Sequence, residues 1–140
     1  MKKILFLIFA VIAFQNMAMA DNSKKEVNDF IQKVANENKE PIKQLIAVAT
    51  AARKGNTLAQ CALGICFYSG KYGAADYKKA FTWFSKAAKK DFPEAQFFVG
   101  ICYFYGRGVY KSTDQAMVWW NKAAKKGNQD AINILKIINK

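Results

Sequence analysis

The chain repeats itself at a fixed offset of 36 residues, and the two copies align without a gap. Ala59-Gln60 returns as Ala95-Gln96, Gly64-Ile65-Cys66 as Gly100-Ile101-Cys102, and Gly70 as Gly106. Ala80 returns as Ala116, Trp83 as Trp119, and Lys86-Ala87-Ala88-Lys89-Lys90 as Lys122-Ala123-Ala124-Lys125-Lys126. A period of this size is one helix–turn–helix unit, too small to bury its own apolar face. Such units are stable only when stacked. The expected fold class is therefore all-α, an α/α superhelical solenoid.

Local signals place the helices. Ser23-Lys24-Lys25-Glu26 reads as a capping box, followed by Val27, Phe30, Ile31 and Val34 on one helix face. Pro41 suits the first position of the next helix. Ile42, Leu45, Ile46, Ala49 and Ala52 are its expected stripe, and Gly55 its left-handed stop. Repeat one predicts a helix from Thr57 to Ser69, a stop at Gly70, an N-cap at Asp76 and a second helix to Lys90. Repeat two restarts near Pro93, reverses through Gly106-Arg107-Gly108-Val109, and caps its second helix with Ser112-Thr113-Asp114-Gln115. Asn128 caps a last helix to about Asn139. The domains are 21–55, a degenerate first pair; 56–91 and 92–127, two full repeats; and 128–140, a closing helix. Ile132, Ile134, Leu135, Ile137 and Ile138 make that helix apolar on more than one side, suited to covering the solenoid's end or to self-association.

Residues 1–20 read as a secretory signal peptide cleaved after Ala20. Lys2-Lys3 form the basic start, Ile4 to Phe14 the apolar run, and Ala18-Met19-Ala20 the small-x-small site. The run is shorter than the ~20 residues a membrane-spanning helix needs. The expected location is periplasmic or secreted, with membrane contact only through the leader. Losing Lys2 and Lys3 takes the net charge from +12 to +10, which favours acidic partners and solubility. A secretory leader argues against nucleic acid as the partner. Cys61, Cys66 and Cys102 make an odd count. Helices pack ~8–10 Å apart, whereas a disulfide needs Cα atoms within ~6.8 Å. All three therefore read as small packing residues, with a Cys66–Cys102 bridge as the alternative.

The pattern Ala-x-x-x-Leu-Gly-x-x-aromatic-x-x-Gly, then Gly-Val, Asp, Lys-Ala and Ala-Ala-x-x-Gly, resembles the Sel-one-like repeat, a relative of the tetratricopeptide repeat. In the first copy it reads Ala59, Leu63, Gly64, Phe67, Gly70, Asp76, Lys79, Ala80, Ala87, Ala88. The second reads Ala95, Val99, Gly100, Tyr103, Gly106, Gly108, Val109, Ala116, Ala123, Ala124, Gly127. Tyr72-Gly73 stands where the pattern has Gly-Val, Ser112 where it has Asp, and Asp91 where it has the closing Gly. The resemblance implies a right-handed superhelix acting as an adaptor for proteins or peptides, often exported in bacteria. A cysteine-rich branch has been assigned β-lactamase activity and carries paired Cys seven residues apart. Here Ala88 and Ala95, and Ala124 and Ala131, stand at those positions, so neither its disulfides nor its activity carry over.

The chain has no His, which removes the commonest general base and metal ligand. It has no Cys-x-x-Cys, phosphate-loop or Ser-x-x-Lys signature. The reading is therefore not an enzyme, with no cofactor, no metal and no catalytic residue; the alternative, on the family resemblance alone, is a hydrolase acting on cell wall or β-lactam. The expected partner-binding residues are Ile65, Tyr68, Phe97, Ile101, Phe104, Tyr105 and Arg107. Phe97, Ile101 and Phe104 share one helix side, which Cys61, Ile65 and Tyr68 occupy one repeat earlier. Stacked, they line one wall of a groove in which aromatic anchors hold a protein or peptide and Arg107 meets an acidic group. Trp83, Trp119 and Trp120 are expected to serve packing.

Overall fold

The computed structural model describes residues 22–37 and 40–140. The signal peptide expected over 1–20 lies outside them. The described residues form seven helices and no strand: α1 (Asn22–Glu37), α2 (Pro41–Arg53), α3 (Thr57–Ser69), α4 (Tyr77–Ala88), α5 (Pro93–Tyr105), α6 (Thr113–Lys125) and α7 (Gln129–Ile138). None of these is long and apolar enough to cross a membrane. From α2 onward each helix packs on the next, as in a solenoid.

Small residues set the pair geometry. A Cβ on Gly64 would lie 2.6 Å from the Phe84 ring, and one on Gly100 would lie 2.4 Å from Trp120 Nε1. The aromatic side chain of each second helix thus rests on bare backbone of the first. Phe84 and Trp120 are fully buried, Trp120 as expected. Gly70 and Gly106 end α3 and α5 with φ of 67° and 65°, the left-handed stop at which a Cβ is penalised. Beyond them the backbone repeats its bonds: Asp76 N–H donates to Phe67 O and Ser112 N–H to Tyr103 O, both at 2.9 Å. Asp76 and Ser112 then cap α4 and α6 with their side-chain oxygens. Gln60 and Gln96 bond Ala52 O and Ala88 O at 3.2 and 3.3 Å, clamping each first helix to the end of the helix before it. Cys61, Cys66 and Cys102 are buried free thiols.

The two ends depart from the sequence expectations. Ser23 already lies inside α1 and is buried, so it does not cap that helix. The buried face of α2 is Gln44, Val48 and Ala52; Ile42 and Ile46 are 69% and 58% exposed. The expected stripe was rotated by about one residue. Apolar residues surround most of α2, so several stripes fit its sequence equally well.

The position of α1 matters most for the surface. It packs on α3, α2 and α5, and Lys24 Nζ donates to Asp130 Oδ2 of α7 at 2.6 Å, an ion pair 5% and 13% exposed. The helix therefore lies across the face made by the first helices of successive units. Val27 is fully buried there, with Phe30 and Ile31 against the same core.

Candidate functional site

The site lies where the first helices α3 and α5 end, at equivalent glycines. Tyr68 from α3 meets Phe98 from α5, with ring centroids 6.1 Å apart. The turn after Gly106 doubles back on α4: a Cβ on Gly108 would lie 2.1 Å from Tyr77 O, so only glycine permits that approach. This contact aims Arg107 inward from the preceding residue. Its guanidinium lies 5.2 Å from the Tyr68 ring centre, 5.0 Å from Tyr77 and 5.0 Å from Tyr105. Arg107 Nη1 also donates to the Tyr68 hydroxyl. One cation is thus held among three phenol rings drawn from α3, α4 and α5, across the junction of the two repeats.

The electrostatics keep the cluster charged and unreactive. The hydrogen bond to Tyr68 leads in pushing the Arg107 guanidinium further up its already high range. Burial raises Tyr68, against the opposing pull of Arg107, so the phenol is neutral and accepts from the guanidinium. Below it, burial pushes the Cys102 thiol up to about 12. Burial raises Cys61 too, with Glu94 adding to it, and raises Cys66. None of these thiols is a nucleophile at neutral pH. No group of three or more His, Cys, Asp or Glu among the described residues is arranged to hold a metal. The arrangement can recognise, through ring faces, phenol hydroxyls and a fixed cation.

The expected site residues separate into two sets. Tyr68, Tyr105 and Arg107 come together in the cluster, and Tyr105 is 57% exposed. Phe104 stands beside it, 5.1 Å from Tyr105 and 5.5 Å from Trp120. Ile65 and Ile101 are half-buried against the core and recur once more as Ile137, which is 70% exposed. Phe97 must be corrected: it is 4% exposed, packed in one cluster with Trp120, Ala116 and Leu135. Its carbonyl accepts the Trp120 indole N–H at 3.2 Å. Its place in the second repeat faces the added helix α7, which a helical-wheel reading does not see. Tyr77 was missed. It is absent from the other repeat, where Thr113 stands, so periodicity gave no signal for it.

A profile of the Sel1 repeat matches residues 57–92 and 93–128, just over half the chain. The chain belongs to the Sel1 repeat family. Sel1 repeats are in general protein-interaction scaffolds. The chain is similar to a Sel1 repeat protein from Oxalobacter formigenes, with a TM-score of 0.71 and 26% identity over 83% of this chain and 47% of that one. It is also similar to c5321, a protective antigen of uropathogenic Escherichia coli strains displaying an SLR fold. There the TM-score is 0.69 and the identity 30%, over 76% of this chain and 23% of that one. The chain thus spans less than half the length of either relative. Helicobacter pylori cysteine rich protein B shares the fold: TM-score 0.67, 23% identity, 84% of this chain and 98% of that one. No curated protein sequence compared with it matches.

Proposed function

We propose that the chain is an exported scaffold that binds a protein or peptide at the ends of its first helices, around Tyr68, Tyr77, Tyr105 and Arg107, with Ile65, Ile101 and Phe104 as apolar flanks. The caged guanidinium carries this reading. A cation fixed between ring faces has little freedom left to lose on binding, and it presents its outward N–H groups to a carboxylate of the partner. Exposed Tyr105 is the aromatic anchor beside it. Export rests on the leader pattern of residues 1–20. No nucleophile, general base or metal set accompanies the surface, so its role is binding rather than turnover.

The test is site-specific photo-crosslinking in the source cell. A photoreactive residue at Tyr105 or Phe104 should trap one discrete partner, and Arg107→Ala should reduce that adduct about tenfold. The same probe at Val118 on α6 should trap none. Equal crosslinking from both faces would end the proposal.

A second reading has its own observation. Ile138 of α7 is 39% exposed, whereas its repeat equivalents Cys66 and Cys102 are buried. That face would suit a second copy. Sedimentation equilibrium should then show dimers that Ile137→Glu/Ile138→Glu dissolves; a monomer at every concentration would dismiss it.

A further inference from the structure

The basic residues are ordered by the repeat. Arg53-Lys54, Lys89-Lys90 and Lys125-Lys126 recur at the 36-residue offset and close α2, α4 and α6. Each elbow turns through one residue of positive φ: 93° at Gly55, 60° at Asp91 and 90° at Gly127. Like backbones put the three pairs along one edge of the stack. Lys90 Nζ donates to Gly55 O at 2.5 Å, so neighbouring elbows touch. Lys86 and Lys122 extend the row, each ammonium lying over the indole three residues earlier, Trp83 and Trp119, at 4.3 and 4.4 Å. All eight cationic side chains are exposed. None is in an ion pair among the described residues. Asp91 follows Lys90 in the chain, and Glu26 borders the same depression as Lys126.

Helix polarity accounts for one cation at each helix end. It does not account for a second on every elbow, where like charges repel along a shared edge. A partner that gathers many negative charges in a plane relieves that repulsion. The chain also enters the described fold at this edge: Asn22, Ser23 and Glu26 border a depression shared with Phe92, Pro93, Lys126 and Gly127. Lysines gathered in this way are what an anionic leaflet attracts.

We propose that this elbow edge docks peripherally on a bilayer rich in anionic phospholipid. The lysine stems lie along the edge with their ammonium groups in the headgroup layer, and the lysine-covered indoles sit at the same level. The docking edge is distinct from the tyrosine–arginine cluster, so a solenoid held there leaves that cluster free. It extends membrane contact beyond the leader, and it fails or stands independently of the partner proposal.

Vesicle flotation of the full chain tests it, comparing phosphatidylcholine alone with vesicles holding about 30 mol % phosphatidylglycerol. The basic leader also favours anionic vesicles but is common to the chain and its variants, so the difference between variants is the readout. Partitioning should rise about tenfold or more with phosphatidylglycerol and collapse near 0.5 M salt, where screening is within ~5 Å. Lys54→Glu/Lys90→Glu/Lys126→Glu should remove most of the increment. Lys43→Glu/Lys111→Glu/Lys136→Glu, an identical change in net charge placed off the edge, should keep most of it. Equal loss in both variants would reduce the effect to bulk charge and overturn the proposal. So would displacement by soluble polyglutamate at matched charge, which would assign the edge to an extended polyanion. Helical circular dichroism of both variants confirms that each is folded.

Discussion

The two repeats share a backbone and differ in what they place on it. In the first, Phe84 lies over Gly64 and stacks on Phe98, with centroids 4.7 Å apart and planes 5° from parallel. In the second, Trp120 lies over Gly100 and gives its indole N–H to Phe97 O. The first repeat fills the space by ring stacking alone. The second adds a directional bond, which fixes the larger ring in place. The stops, caps and clamps are alike in both, while the chemistry of the recognition residues is not: Tyr68 corresponds to Phe104, Lys71 to Arg107, and Tyr77 to Thr113. Repetition thus builds a frame, and the exceptions to repetition build the site.

The sharpest way to break this pairing is to add one methyl to each frame glycine. Gly100→Ala should cost about 3 kcal/mol or more and Gly64→Ala nearer 2, overpacking that outweighs the ~1 kcal/mol gain in helix propensity. Trp120 is the less able to yield because its N–H is anchored; the Phe84 ring can slide. Chemical denaturation of both variants checks the order, and equal costs would remove the distinction between the two junctions.

A smaller difference separates the buried thiols with pH. A thiol held neutral when folded stabilises the fold below the unfolded pKa near 9.0, and that contribution is lost as pH rises toward the folded value of about 12. Unfolding free energy should fall across that window, with Cys102 contributing up to about 1.4 kcal/mol per pH unit. Cys102→Ala should flatten the alkaline limb. An unchanged slope would show that Cys102 does not govern it.

The smallest effect concerns the elbows. Asp91 holds φ 60° where Gly55 and Gly127 stand in the neighbouring units, a conformation that costs a non-glycine residue roughly 1 kcal/mol. Asp91 Oδ1 also accepts from Gln96 Nε2 at a long 3.4 Å. Asp91→Gly should therefore stabilise by about 0.5 kcal/mol, the relief of strain exceeding the lost weak bond. A thermal melt that falls instead would make the Gln96 contact the stronger term.

These cases also mark what the chain shows before it folds. Gly70, Gly106, Asp76, Ser112, Pro41 and Asn128 act locally, on backbone within a few residues, and their roles were legible. Gly64 and Gly100 were legible as positions the offset repeats, but the rings they seat, Phe84 and Trp120, emerge only from the packing. The register of α2 was not, since a nearly all-apolar helix gives no single preferred face. The burial of Phe97 depends on α7, and the cage around Arg107 on Tyr77, which has no counterpart in the second repeat. Nothing near Lys24 in sequence names Asp130. Local rules reach as far as the turn; contacts made once, between distant segments, leave no periodic trace.

That last contact bears on the order in which the molecule can be completed. Lys24 and Asp130 are separated by 106 positions, so during synthesis the first helix emerges long before its acceptor exists. The two central hairpins can close from short-range contacts alone, and α1 can settle on α2, α3 and α5, while its ion pair must wait for α7 to be made. A chain truncated before residue 130 should keep Val27 protected but leave the start of α1, around Lys24, more open to protease than in the full chain. The first turn of α1 is among the last parts of the fold to be pinned.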